Sequence, residues 1–269
     1  MSTTDTVFAG SIPALYDRYM VPMLFAPFAA LIAERARALE PSRILETAAG
    51  TGVVTDALHR ALPEAEIIAT DLNQPMLDIA AQRVRSATVR FAAADATALP
   101  FEDQSFDLVV CQFGIMFFPD KVRGNSEARR VLRDGGTYLL AIWDSIERNP
   151  ATGAAGRAVA ALFPGNDAAF YERIPFRYHD VAGIERDLRA AGFSTIAIDT
   201  IELRTRAPSA RDAALGLVQG SPMRSEIEAR DPALLEPATA AAADALSPFI
   251  GPDGALDAPM SAHIVSAVR

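Results

Sequence analysis

From Arg43 onward, short β-branched apolar runs alternate with stretches whose apolar residues recur at helical spacing, the pattern of strands joined by crossover helices in a parallel sheet. Arg43-Ile44-Leu45-Glu46-Thr47 reads as a first strand, Thr51 to Leu62 as a helix stopped by Pro63, and Glu66-Ile67-Ile68-Ala69-Thr70 as a second strand. Gln74 to Arg85 has helical spacing at Met76, Leu77, Ala80 and Val84, and Thr88 to Phe91 follows as a third strand. Phe106 to Gln112 is apolar almost throughout after Asp107, as a strand covered by helices on both faces must be, and is expected to be central.

Asp120 to Arg133 reads as a helix, Asp134-Gly135-Gly136 as the turn after it, and Thr137 to Trp143 as a fifth strand. Asp180 to Ala191 repeats the helical pattern up to Gly192. Thr195 to Arg204 then alternates apolar and polar residues like a half-exposed strand, and Met260 to Arg269 supplies a closing strand. If those two pair as an edge hairpin, Ala207 to Pro259 is a helical insertion punctuated by Pro222, Pro232 and Pro237; its run Ala238 to Ala245 reads as helix because alanine is the strongest helix former. Phe8 to Arg37 and Asp144 to His179 also stand outside the sheet. Ligands of open α/β sheets bind beyond the carboxyl ends of the strands, so these outer segments are where a substrate is expected.

Half of the 269 residues are apolar, and 25 Lys and Arg against 34 Asp and Glu give a net charge of −9, without the cationic surface that holds a polyanion. No nucleic-acid partner is expected. A single cysteine, Cys111, and 3 histidines offer neither an internal disulfide nor a metal site, and fit a reducing, cytoplasmic home. No Lys or Arg precedes Arg18 and Asp5 is acidic, unlike an export signal. The apolar run Met20 to Ala33 is interrupted by Pro22 and Pro27 and stops at Glu34, short of the roughly 20 residues that cross a bilayer, so no membrane span is expected.

The chemistry concentrates in Glu46-Thr47-Ala48-Ala49-Gly50-Thr51-Gly52, between the first strand and its helix, where small residues let backbone approach a nucleotide-type ligand. A dinucleotide fingerprint needs a third glycine, and Thr55 stands in that place. Glu46 at the strand end repels a pyrophosphate and attracts a ligand bearing an ammonium and a sulfonium, which favours S-adenosylmethionine over NAD. Asp71 ends the second strand, where a carboxylate accepts from vicinal ribose hydroxyls; taken alone it suits NAD and S-adenosylmethionine equally, and an ordinary helix-cap role as well. After the third strand, Asp95 is placed to accept from an adenine amine while Ala96 leaves room for the ring.

The ordered set Leu45 to Gly52, Asp71-Leu72-Asn73, Asp95-Ala96-Thr97-Ala98-Leu99-Pro100-Phe101 and Phe106-Asp107-Leu108-Val109-Val110 resembles the class I S-adenosylmethionine-dependent methyltransferases, most closely the small-molecule, quinone-biosynthesis-like (type 11) group. The likeness spans roughly Arg43 to Trp143. It implies an α/β fold: a doubly wound, Rossmann-like, mostly parallel seven-stranded sheet, the last strand antiparallel, with helices on both faces and helical lid insertions. A single domain over 1–269 follows, with 1–40 as an N-terminal lid, 41–144 as the cofactor-binding core, 145–180 and 207–258 as substrate-side insertions, and 181–206 with 259–269 completing the core. The implied reaction moves a methyl group to O, N or C of a small, apolar acceptor and leaves S-adenosylhomocysteine. By the same resemblance Glu46, Ala48, Gly50 and Gly52 surround the methionine moiety, Asp71 holds the ribose, Leu72 and Met76 flank the adenine, Asp95 and Ala96 read its edge, and Gln112 offers backbone to the amine. The family has Gly where this chain has Ala48, and a methyl group is accommodated there if φ is negative.

Tyr19 and Phe25 are candidates to cover the cofactor, since an aromatic face near a sulfonium gains about 0.5–2 kcal/mol, with plain core packing as the alternative. Phe113 to Phe118, with Met20, Met23, Leu24, Phe25 and Phe28, suggests an apolar acceptor pocket. A general base is optional for methyl transfer; His179 and Asp144 are the best-placed candidates, and a structural role is the alternative for each. A nicotinamide-dependent oxidoreductase and an S-adenosylmethionine-binding protein without turnover are the competing readings; the acceptor, and whether the chain is a monomer or a homodimer, are left open by the residues.

Overall fold

The computed structural model describes residue 8 and residues 10–163 and 169–269. Seven strands, β1 (Arg43–Thr47), β2 (Glu66–Asp71), β3 (Val89–Ala93), β4 (Phe106–Gln112), β5 (Leu132–Trp143), β6 (Thr195–Ala207) and β7 (Leu256–Val268), lie in the order β3-β2-β1-β4-β5-β7-β6. The strands from β3 to β5 are parallel to their neighbours and β7 runs antiparallel to β5. The doubly wound, mostly parallel sheet that the family resemblance implies is therefore present, with β4 as its middle strand. Its Leu108 to Cys111 are fully buried, as parallel strands covered on both faces must be.

Two compact units make up the chain. The larger comprises Phe28–Trp143, Tyr178–Ile201 and Ala262–Arg269 and carries the parallel strands. The other takes the described N-terminal residues up to Pro27 together with Asp144–Arg177 and Glu202–Ser261, close to the segments that the hydropathy pattern left outside the sheet. Within it the alanine-rich helix Leu235–Ala245 forms as its composition dictates and buries Ala238, Thr239 and Ala242. Asn149 ties this unit together by an amide clamp: its Nδ2 donates to the carbonyls of Ser145 (3.0 Å) and Ser261 (3.1 Å), and the Ser261 N–H donates back to Oδ1 (3.1 Å).

Two elements differ from their sequence expectation. The N-terminal helix Ile12–Arg37 is 26 residues long, so by length and composition alone it could cross a membrane. Met20, Val21, Met23, Leu24, Phe25, Phe28 and Ile32 on it are nevertheless buried inside the protein, as in a core helix. Pro22, which has no N–H to donate, sits in a ten-residue π-helical stretch, Tyr16–Phe25, where the widened turn takes up the irregularity. The second difference is Asp134-Gly135-Gly136, which is not a turn before β5 but part of it. The register steps from Phe106↔Leu132 to Leu108↔Thr137, so the extra residues bulge out of the ladder.

At the amino-terminal edge of the sheet Asp107 acts structurally. Its Oδ2 accepts from the Ser42 N–H (3.0 Å), the Ser42 hydroxyl (2.7 Å) and the Arg43 N–H (2.8 Å), and Oδ1 pairs with Arg133 (2.6 Å). Burial alone raises the Asp107 carboxyl, but these donors and the Arg133 charge outweigh it and hold the group below its ordinary value. Asp107→Ala is expected to cost about 1–3 kcal/mol in urea unfolding. With the carboxyl depressed, the stabilisation is present above its ordinary value and fades as the pH falls through the lower, folded-state value; a wild-type to Asp107→Ala gap that does not narrow in acid contradicts this role.

Candidate active site at the carboxyl edge of the sheet

The chain runs outward from β1 to β3 and then returns past β1 to lay down β4, so the connections after β1 and β4 diverge and leave a crevice at their carboxyl ends. Glu46 is the last β1 residue paired with β4, opposite Val110, and 2% of its surface is exposed. Its Oε2 accepts from the Thr55 hydroxyl at 2.6 Å, and its backbone carbonyl accepts from the Thr70 hydroxyl at 2.9 Å. Among the described residues no Lys, Arg or His pairs with it. Burial pushes the Glu46 carboxyl up to about 8; the Thr55 bond works against this and the neighbouring Asp71 charge adds to it. Burial thus works against the standing negative charge that the sequence attributes to Glu46, because a lone buried carboxylate is costly to keep ionised.

Beyond Glu46 the backbone turns sharply. Ala48 has φ +54°, Gly50 +56° and Gly52 +80°. The negative φ expected for Ala48 is not found: this residue is in the left-handed region, at a cost of about 1–2 kcal/mol for an L side chain. Gly52 is required twice over, by its φ and because a Cβ there would stand 2.8 Å from the Ala80 Cβ on the helix Gln74–Arg83. The loop is anchored from outside: the Gly50 N–H donates to Asp71 Oδ2 (2.9 Å), the Ala49 N–H to the Thr70 carbonyl (2.9 Å), and the Arg83 Nε to the Thr51 carbonyl (2.9 Å).

Asp71 closes β2. Its Oδ1 accepts from the Asn73 N–H (2.8 Å) and side-chain amide (3.3 Å), so three N–H donors converge on one carboxylate. Burial nonetheless raises it, against those donors. Leu72, next in the chain, is 62% exposed, a large apolar side chain turned outward beside the loop, whereas Met76 on the helix Gln74–Arg83 is 3% exposed. The loop after β3 comes to the same edge through the Ala94 N–H, which donates to the Asp71 carbonyl at 3.1 Å. Asp95 is exposed and folds its own turn, accepting from the Thr97 N–H (2.8 Å) and hydroxyl (2.7 Å); Ala96 beside it is half-buried.

At the end of β4, Gln112 is half-buried and Phe113 has φ +53°. The Phe113 ring stacks on Trp143 at 3.8 Å and 8°, and Phe28 meets both edge-on at 5.3 and 5.7 Å. Gly114 follows, where a Cβ would stand 2.4 Å from the Ala48 methyl.

Glu46, Ala48, Gly50, Gly52, Asp71, Leu72, Met76, Asp95, Ala96 and Gln112 therefore all fall at or beside the carboxyl ends of β1 to β4. Tyr19 and Phe25 belong to the other unit: Tyr19 is half-buried with Arg18 over its ring at 5.0 Å, and Phe25 is buried and stacked on Tyr16 at 5.0 Å. Asp144, in that unit too, accepts from the Ser145 N–H (2.7 Å) and the Ser261 hydroxyl (2.8 Å). His179 is exposed, and its carbonyl accepts from Nε2 of the buried His263 at 3.0 Å, which leaves Nδ1 to face the Thr200 hydroxyl at 2.9 Å.

Residues 44–136 match the family described as a methyltransferase domain. The chain is 34% identical over 179 residues to the demethylmenaquinone methyltransferase of Deinococcus radiodurans, aligning 61% of this chain with 72% of that one. This chain belongs to the class I S-adenosylmethionine-dependent methyltransferases. A second relative, the demethylmenaquinone methyltransferase of Thermus thermophilus, is 42% identical over 102 residues, and there the chain spans 46% of the relative's length. In fold the methyltransferase is similar to the YcgJ protein of Bacillus subtilis, with a TM-score of 0.58, 20% identity, and 90% and 97% of the two chains covered.

The oxidoreductase reading gains nothing from this geometry, since Thr55, in place of a third glycine, gives its hydroxyl to Glu46. Sequence reasoning noted Thr55 only as that departure; a hydroxyl nine residues after a strand-end acid, one helix turn in, was the available signal. It also passed over Arg83 and Gly114, whose roles rest on tertiary contacts that no local pattern encodes.

Two predictions follow from the methyltransferase's loop. Gly114→Ala is expected to destabilise by about 1–3 kcal/mol through overpacking on Ala48, and Ala48→Gly in the same chain to recover most of it; additive costs in urea unfolding contradict the contact. Separately, the stability contributed by the raised Glu46 carboxyl is full below its ordinary value near 4.5 and is lost as the pH rises through about 8. Ligand-free wild type is therefore expected to lose thermal stability relative to Glu46→Gln over that window, and a pH-independent difference in Tm contradicts it.

Proposed function

We propose that this methyltransferase methylates an O, N or C nucleophile on a small, largely apolar molecule, with reduced hydroxylated quinone rings as the first acceptor class to test. The observation that carries the cofactor half of the reading is Glu46, a buried carboxyl without a cationic partner among the described residues, which matches a ligand that brings its own positive charge. Leu72, 62% exposed beside a left-handed loop, fits an adenine face, and Met76 backs the same helix start. In this reading Asp71 accepts from the ribose hydroxyls, Asp95 and Ala96 meet the adenine edge, and the backbone from Ala48 to Gly52 and at Gln112 surrounds the amino-acid end. Tyr19 and Phe25 are retained as candidates for covering the cofactor.

For the acceptor, the stacked Phe113 and Trp143 with Phe28 against them form an aromatic group at the ends of β4 and β5, chemistry that suits a flat apolar ring. The demethylmenaquinone methyltransferases among the relatives support the same class. When bound, S-adenosylmethionine supplies an electrophilic methyl on a cationic sulfur. The protein's part is to align the acceptor with that methyl and to exclude water, which suffices without a dedicated base. Asp144 accepts from the Ser145 N–H and the Ser261 hydroxyl, and His179 is exposed; both are retained as base candidates. We place the enzyme in the cytoplasm, where its buried Cys111 stays a free thiol, as a monomer or homodimer without a nucleic-acid partner.

Incubation with methyl-labelled S-adenosylmethionine and a panel of hydroquinones, phenols and amines is expected to label an apolar hydroxyl-bearing ring first; label confined to polar amines contradicts the acceptor assignment. Asp71→Asn, which keeps the loop filled, is expected to weaken S-adenosylmethionine binding by about 1.5–3 kcal/mol in titration calorimetry, and unchanged affinity removes Asp71 from the ribose.

A further inference from the structure

We propose that the unit holding Asp144–Arg177 and Glu202–Ser261 carries a second ligand site, for a compact apolar monocarboxylate, in the cleft between the helices Pro150–Ala160 and Met223–Arg230. The site stands apart from the adenosyl-ligand reading: none of its residues is among those at the carboxyl ends of β1 to β4.

The cleft has a volume of about 290 Å³, at the small end of the range for ligand sites. Val159, Phe170, Met223 and Ile227 line it and are each at most 4% exposed, so its floor is hydrocarbon. Among the described residues the charged groups on the lining are Glu226 and Arg230. They stand one turn apart on Met223–Arg230 with the acid first, the spacing and order that favour an ion pair. They do not form one. Glu226 pairs with Arg173 of the helix Phe170–Arg173 instead, although Arg224 and Glu228 on the same helix do meet across one turn at 2.7 Å. Arg230 lies over the Phe163 ring at 4.9 Å and, among the described residues, neither pairs with an acid nor donates a hydrogen bond.

This arrangement selects one charge class. With Glu226 matched by Arg173, Arg230 leaves the lining with one unmatched positive charge, in a chain whose net charge is −9. A guanidinium over an aromatic face keeps its N–H fork for acceptors in its own plane, the geometry that takes both oxygens of a carboxylate, and the ring restricts the side chain before any ligand arrives. The Glu226 carboxylate on the same lining opposes a second negative charge, which disfavours phosphate monoesters and dicarboxylates; an amine meets Arg230 as a like charge. The apolar floor asks that the rest of the ligand be hydrocarbon.

The test is titration calorimetry of the whole chain with octanoate, octanol and octylamine, which share an apolar body and differ in head group. Octanoate is expected to bind one to one and about tenfold more tightly than octanol, the scale of one charge-assisted hydrogen bond, with octylamine weaker than either. Arg230→Gln, at an exposed position, is expected to keep the wild-type Tm, to bring octanoate down to the octanol level and to leave octanol unchanged. Ala160→Leu, which adds bulk to the lining, is expected to abolish binding of both. Absence of octanoate binding up to millimolar concentration overturns the site. Equal affinity for octanoate and octanol in the wild type overturns the charge selection, and octanoate affinity unchanged in Arg230→Gln places the ligand elsewhere and overturns the assignment.

Discussion

The architecture turns on one constraint: β1 is hydrogen-bonded in parallel on both sides, so the chain must leave toward β2 and β3 and then come back across β1 to place β4. Parallel neighbours cannot be joined by a tight turn, and the two crossovers that meet over β1 depart in opposite directions. The residues after β1 are therefore without a ladder to join, and their backbone donors have to be met from elsewhere. Asp71 meets the Gly50 N–H and the Thr70 carbonyl meets that of Ala49, while the Thr70 hydroxyl covers the Glu46 carbonyl. The left-handed residues are the shape that this accounting imposes.

Two acids on adjacent strands show how the same sheet treats its two ends. Asp107, at the amino edge of β4, is supplied with three donors and an arginine and is held low. Glu46, near the carboxyl edge of β1, receives one hydroxyl and is driven up to about 8. The first is a completed interaction that fastens the strands. The second has no cationic partner among the described residues, and burial dominates its titration.

The α/β class could be read from hydropathy because short apolar runs, nearly continuous in β4 and broken by Arg90 in β3, alternate with helical spacing. The central place of Phe106 to Gln112 follows from the same pattern, whereas the seven-stranded topology with an antiparallel last strand was implied by the family resemblance. Legibility ended where tertiary forces overrode local rules. Asp134-Gly135-Gly136 has the composition of a turn, yet it lies inside β5, where the ladder to β4 breaks after Leu132 and resumes at Thr137, so the surplus bulges with Gly135 at φ +78°. Ala48 has a residue type that avoids positive φ, and only the fixed ends of its loop force it there. Glu46 was legible as an acid at a strand end, but its protonation depends on burial and on Thr55, neither of which is written in the neighbouring residues. Nor could the pattern show Ile12–Arg37 as one long helix, since its prolines read as stops until a π-helical stretch absorbs the first.

The position of β7 carries a kinetic consequence. It follows β6 in the chain yet lies between β5 and β6, pairing Thr137 to Trp143 with residues more than a hundred positions away. β6 cannot shield β5 in the meantime, because the place beside β5 belongs to a segment that comes later. Until 262–268 insert, β5 presents a row of unpaired amides and carbonyls along an apolar strand, the template on which another chain's strand adds most readily. Closing so long a loop is entropically slow, so refolding of this enzyme is expected to be limited by that insertion and to be sensitive to protein concentration while it lasts.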